Sequence, residues 1–184
     1  MQNIIITGAS HGIGRALAKK LSKKYHIINI DIVENKMDKV DFYKCDLSDK
    51  SKLLKTIEKI KTNIDSLYAL INNAALFSSK SLEKQTLDEW ENIISINLTA
   101  PYILSKEFAS MLKQSKGHII NISSTRASMS EAGTEAYSAS KGGISSLTHA
   151  LAITLSPDVK VNSISPGWIN TNEEYLPTKV DNEQ

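Results

Sequence analysis

Tyr137 and Lys141 stand four residues apart in the run Tyr137-Ser138-Ala139-Ser140-Lys141. On a helix this spacing sets a phenol and an ammonium on the same face. A free tyrosine, with a pKa near ~10, does not exchange protons with an alcohol at neutral pH. A cation held beside it favours the phenolate and makes it a usable acid/base. Alone, the pair fits a solvated helix face better than a site. The residues upstream change that balance.

Gln2 to Thr7 is a β-branched run that reads as a buried parallel strand, and it leads into Thr7-Gly8-Ala9-Ser10-His11-Gly12-Ile13-Gly14. A helical pattern begins at Arg15. Strand, glycine turn and helix in this order form a site for a dinucleotide pyrophosphate, because glycines admit the phosphate and the helix N-terminus offers free N–H groups. Gly8, Ser10, His11, Gly12, Ile13 and Gly14 are the candidate contacts. His11 is read as a polar residue tolerated in the loop, not a catalytic one. The spacing G-x-x-x-G-x-G is a variant of the usual fingerprint. A second β run, His26 to Ile30, ends in Asp31. An acid there accepts from a ribose 2′-OH and repels a 2′-phosphate, which favours NAD over NADP. A strand-end aspartate capping a turn is the plainer alternative.

These residues resemble the short-chain dehydrogenase/reductase family, and six motifs continue the likeness in order from about residue 3 to 171. The resemblance implies that Asp46 and Leu47 lie near the adenine. It also implies that Asn73 and Ala74 belong to the turn after the fourth strand, where Ala75 replaces the family's glycine. Asn97 matches the helix-borne asparagine. Ser124, thirteen residues before Tyr137, matches the catalytic serine, with Ser123 as the fallback. Pro166, Gly167 and Ile169 fall in the segment that meets the nicotinamide.

The likeness implies hydride transfer between nicotinamide C4 and a secondary alcohol or ketone. Tyr137 is the acid/base, Lys141 lowers its pKa and binds the ribose, Ser124 holds the substrate oxygen, and Asn97 holds a water in a proton relay. The competing expectation is a non-catalytic NAD-binding or interaction protein, inactive because the family's C-terminal lid is absent.

At 184 residues, 41% of them hydrophobic, the chain is long enough for one domain with a real core and too short for two comfortable ones. Its net charge of +2, with lysines interspersed among acids, argues against a nucleic-acid partner. The single cysteine, Cys45, suits a reducing cytosol. The four histidines lack metal-ligand spacing, so no metal is expected. No apolar run approaches a membrane span. A cytoplasmic protein acting on a small molecule is expected.

Strands at about 2–7, 26–31, 40–45, 67–72, 117–123 and 159–165 alternate with helical patterns at about 12–24, 50–62, 87–114 and 136–155. The alternation predicts an α/β fold with a doubly wound parallel sheet of about six strands. All of 1–184 is one dinucleotide-binding and catalytic domain in this reading, shortened C-terminally relative to the family, with 172–184 a flexible tail or the start of a substrate lid. Only eight residues join the second and third strands, so a crossover helix there is one turn or absent. Ala139, Gly143, Ser146 and Ala150 form a stripe of small residues opposite Tyr137. Either it packs on the chain's own sheet, or it joins the 87–114 helix in an isologous homodimer, which is the favoured reading.

Overall fold

The computed structural model describes residues 1–171. Six parallel strands form one sheet in the order β3-β2-β1-β4-β5-β6. They are β1 (Asn3–Thr7), β2 (His26–Asp31), β3 (Val40–Lys44), β4 (Ala69–Asn72), β5 (His118–Ile122) and β6 (Lys160–Ile164). The helices between them are α1 (Gly12–Leu21), α2 (Lys50–Asn63), α3 (Leu87–Ile94), α4 (Ala100–Gln114) and α5 (Glu135–Leu155). All six expected strands are present, each within about two residues of the expected bounds. The 12–24 helix stops at Leu21.

The strands are apolar because both faces are covered. Ile28, Ile5, Leu70, Ile119 and Val161 lie in register across the sheet and all belong to one buried cluster with Leu53, Ile57 and Phe108. The neighbouring positions Ile4, Ile6, Ile27 and Ile71 point the other way, into a second cluster with Ala18 of α1. Alternate side chains of a strand project to opposite faces, so one isoleucine-rich run serves two cores.

Two local features depart from regular alternation. Residues 32–39 form no helix, and Met37 and Val40 pack on the second cluster in its place. The expected 87–114 helix is divided by a π-helical turn, Ser95–Thr99, with Pro101 at the start of α4. Pro has no N–H to give to a helix, and the first turn is where that loss is harmless.

Among the described residues β6 pairs with β5 alone and borders the sheet. The small-residue stripe does not pack on the sheet: Ala139, Ser146 and Ala150 are exposed. Gly143 makes room for a neighbour within the chain, since a Cβ there would lie 2.7 Å from Leu98 Cδ2. The expectation of a tail or lid at 172–184 lies outside the described residues.

Candidate active site

β2 and β3 lie on one side of β1 and β4 on the other, so the order of the strands reverses between β1 and β4. Parallel sheets bind ligands at such a point, beyond the C-terminal strand ends. Gly8 leaves β1 there with φ at 69°, a conformation glycine adopts without strain. Gly14 is required for space alone. A Cβ on it would fall 2.1 Å from the Gly8 carbonyl oxygen and 2.5 Å from Asn73 Nδ2. The first turn of α1 therefore presses directly onto the loop.

The loop is fixed from both neighbouring strands. Asn73 and Ala74 each donate a backbone N–H to Thr7 Oγ1 at 3.0 Å. Asn73 Nδ2 donates to the Thr7 and Gly8 carbonyls. On the other side Asn29 Oδ1 accepts from Ala9 N at 3.0 Å, and Asn35 Nδ2 donates to the Ser10 carbonyl at 2.9 Å. Ser10 is wholly buried, its hydroxyl donating to the Val33 carbonyl and accepting from Asn29 Nδ2. Expected as a cofactor contact, Ser10 instead ties the loop to residues 29–35, because its side chain turns into the protein. Gly14 is likewise a packing residue and does not line the cleft above the loop among the described residues.

A cleft of 570 Å³ opens above this loop, lined by Gly8, His11, Gly12, Ile13, Asp31, Asp46, Leu47, Asn73 and Ala74 among others. Asp31 Oδ1 accepts from Ile32 N at 2.7 Å and Oδ2 from Ser10 N at 3.0 Å. Two carboxylate oxygens carry about four acceptor positions, and Val33 N, at 3.4 Å, is the only further donor within the described residues. Acceptor capacity on the cleft wall therefore remains.

A second cavity of 490 Å³ adjoins it and shares Ile13, Asn73, Ala75 and Thr171 with it. Ser124, Tyr137, Lys141, Pro166, Gly167 and Ile169 line this second space. The face of α5 that carries Tyr137 also carries Lys141, whose Nζ lies 5.6 Å from the Tyr137 ring centre. Lys141 is only 2% exposed, and its Nζ donates to the Ile122 carbonyl at 2.7 Å. Burial pushes its pKa down to about 8, because desolvation disfavours the charged form. Phe77 stands edge-on to Tyr137, ring centres 5.0 Å apart.

The two serines are distinguished by their bonds. Ser123 Oγ donates to the Lys141 carbonyl at 3.1 Å and so is committed to α5. Ser124 Oγ accepts from Arg126 N at 3.1 Å, which leaves its own hydrogen for the cavity.

Asn97 lies in the π-helical turn, 1% exposed. Its Oδ1 accepts from Leu76 N at 2.8 Å, while Nδ2 donates to the Leu76 carbonyl and to Ser140 Oγ. These bonds occupy the amide, and neither cavity is lined by it. The side chain fixes the segment after β4 against α5.

A family model described as short chain dehydrogenase matches residues 2–175. The chain belongs to the short-chain dehydrogenase family. An uncharacterized oxidoreductase of Thermotoga maritima is 43% identical over 184 residues, covering 92% of this chain and 72% of the relative. An apo SCOR enzyme from Clostridium thermocellum superimposes with a TM-score of 0.88 at 38% identity, covering 95% of this chain and 75% of that one. A 4-hydroxyisoleucine dehydrogenase complexed with NADH gives 0.88 at 34% identity, with 93% and 77% covered. As a short-chain dehydrogenase, the protein is an oxidoreductase acting on CH–OH groups with NAD or NADP.

The residues that support the dehydrogenase site from behind escaped sequence reading. Thr7, Asn29, Asn35 and Phe77 hold or cover it. Asn29 alone carried a signal, as a buried amide within the apolar run of β2. Among the described residues no group of acidic, histidine or cysteine side chains could hold a metal, and no helix is long and apolar enough to cross a membrane.

Proposed function

We propose that this dehydrogenase moves a hydride between a nicotinamide cofactor and a secondary alcohol or ketone, with Tyr137 as the proton-transfer group. The observation that carries this reading is the meeting of Ser124, Tyr137 and Lys141 on one cavity continuous with the cleft over the glycine loop. The chain fits a dinucleotide: the Gly8 and Gly14 positions leave no room for a Cβ, and α1 presents its N-terminus beside them. Gly8, His11, Gly12, Ile13, Asn73 and Ala74 take the pyrophosphate side, Asp46 and Leu47 the adenine, and Pro166, Gly167 and Ile169 the nicotinamide. When bound, NAD accepts the hydride that leaves the alcohol carbon.

Tyr137 takes the hydroxyl proton as that carbon is oxidised and returns it in reduction. Ser124 donates a hydrogen bond to the substrate oxygen, where charge changes most. Lys141 favours the phenolate and offers donors to the cofactor ribose. Asn97 contributes by holding Leu76 and the adjoining Phe77, which abuts Tyr137. Asp31 disfavours a 2′-phosphate, and Ile32 and Val33 after it supply no positive charge, so NAD is the preferred cofactor. A cytoplasmic homodimer through α3, α4 and the exposed small-residue stripe of α5 completes the proposal. The non-catalytic reading is the weaker one, since a binding role alone would not require Ser124, Tyr137 and Lys141 together on one cavity.

The test is a panel of alcohols and ketones with NAD(H) and NADP(H), followed by reduced-cofactor absorbance in the parent and Tyr137→Phe. Tyr137→Phe should remove turnover while NAD affinity stays within a few-fold. Retention of most activity would refute the acid/base assignment, and tighter binding of NADP(H) than NAD(H) would refute the role of Asp31.

A further inference from the structure

Two charged side chains line the catalytic cavity, Arg126 and Lys141, and no carboxylate lines it among the described residues. Lys141 is engaged with the Ile122 carbonyl and stands by Tyr137. Arg126 takes no part in the proton and hydride transfers. It sits on the short 3-10 turn Thr125–Ala127 that Ser124 caps, and its backbone N–H donates to Ser124 Oγ. The guanidinium is therefore carried by the same turn that fixes the hydroxyl placed to hold the substrate oxygen.

The Arg126 side chain is 20% exposed, whereas its ion-pair partner Glu131 is 60% exposed. Nη1 donates to the Met129 carbonyl at 3.1 Å, and Nη2 contacts Glu131. Among the described residues the other N–H groups of the fork have no partner, which leaves them for a ligand. A half-solvated glutamate is a weak partner, because exposed ion pairs contribute little. A ligand carboxylate inside the cavity would meet the same guanidinium with less water around it, where such contacts are stronger. The planar fork matches a carboxylate in two-point fashion. Phe77 and Trp168 supply apolar wall beyond it.

We infer that the substrate is a hydroxy or oxo acid whose carboxylate binds Arg126, displacing Glu131, so that the reacting carbon is set between Ser124 and Tyr137. This rests on the dehydrogenase reading above and adds the class of substrate to it. Arg126 is then a specificity-determining residue, and Glu131 a competing anion at the mouth.

Binding can be read without turnover, because a ketone cannot react with oxidised cofactor. With NAD⁺ saturating, oxopentanoates carrying the carbonyl at the second, third or fourth carbon are titrated by calorimetry, each against its uncharged amide. At least one acid should bind at least about 10-fold more tightly than its amide, as expected for one charge-assisted contact. Arg126→Met should abolish that preference, Arg126→Lys should keep part of it, and Glu131→Gln should tighten acid binding while leaving the amide unchanged. NAD⁺ affinity reports whether each variant is folded, and if Arg126→Met fails this control the Glu131→Gln arm decides. Equal binding of acid and amide by the parent across the set would overturn the inference. So would a preference that survives Arg126→Met, or acid binding unchanged in Glu131→Gln. Failure of the dehydrogenase reading would show elsewhere, as turnover retained by Tyr137→Phe.

Discussion

Replacing Lys141 by methionine should leave the protein as stable as the parent or stabler near neutral pH, and less stable than the parent in alkali. Burial moves the lysine from 10.5 to about 8. That displacement corresponds to about 3 kcal/mol of unfavourable desolvation when the folded protein keeps the group charged. The folded value lies below the unfolded one, so between about 8 and 10.5 the unfolded chain binds more protons and stability rises with pH. Parent stability should gain about 2 kcal/mol between about pH 7 and pH 9.5 from this residue alone. Lys141→Met removes the titration and keeps most of the stem volume. It also leaves the Ile122 carbonyl without its donor, a loss of about 1–3 kcal/mol. At about pH 7 the two effects leave the variant level with the parent or stabler by up to about 2 kcal/mol. Urea unfolding of both proteins across this range reads the difference directly, and turnover should be lost in the variant throughout. A parent-minus-variant stability that stays flat from about pH 7 to pH 9.5 would refute the reasoning.

Gly14→Ala should lower stability by about 1–3 kcal/mol or more, since its methyl would fall 2.1 Å from a backbone oxygen. NAD affinity should fall with it, and an unchanged dissociation constant would contradict this packing. Gly142→Ala is the contrast: its Cβ would have only the Ala127 carbonyl oxygen nearby, at 3.8 Å, so denaturant unfolding should show a gain of up to about 1 kcal/mol from helix propensity. Asn97→Ala strips the Leu76 amide and carbonyl of their partners and should destabilise by about 2–4 kcal/mol. Asn97→Asp should not rescue it, because a carboxylate cannot donate to the Leu76 carbonyl, and full rescue in thermal unfolding would count against that pairing.

The strands are legible in the sequence because burial on both faces demands unbroken apolar runs, and few other elements produce Asn3-Ile4-Ile5-Ile6 or Ile27-Ile28. Their spacing with helical patterns is enough for the parallel sheet. The cleft residues are legible for a related reason: glycine positions and strand ends are set by backbone geometry. The π-helical turn is not legible, because one extra residue in a turn shifts the apolar phase too little to show over 87–114. Pro101 is the available sign, being misplaced in the interior of a single long helix. Ser10 reads as facing the cofactor, and nothing local contradicts that. Its direction is decided by Asn29 and Val33, nineteen and twenty-three residues away, and irregular loops carry no periodicity from which to read a side-chain direction.

The bonds that shape the nucleotide loop also order its appearance during synthesis. Thr7 receives Asn73 and Ala74 from 66 and 67 residues downstream, and parallel pairing of this kind closes late and slowly. The glycine turn of a nascent chain therefore has no lasting shape until β4 has emerged and docked beside β1. Lys141 and its bond to the Ile122 carbonyl come later still. The two halves of the site are therefore completed at different points of emergence, the glycine loop with β4 and the Tyr137–Lys141 pair only with β5 and α5.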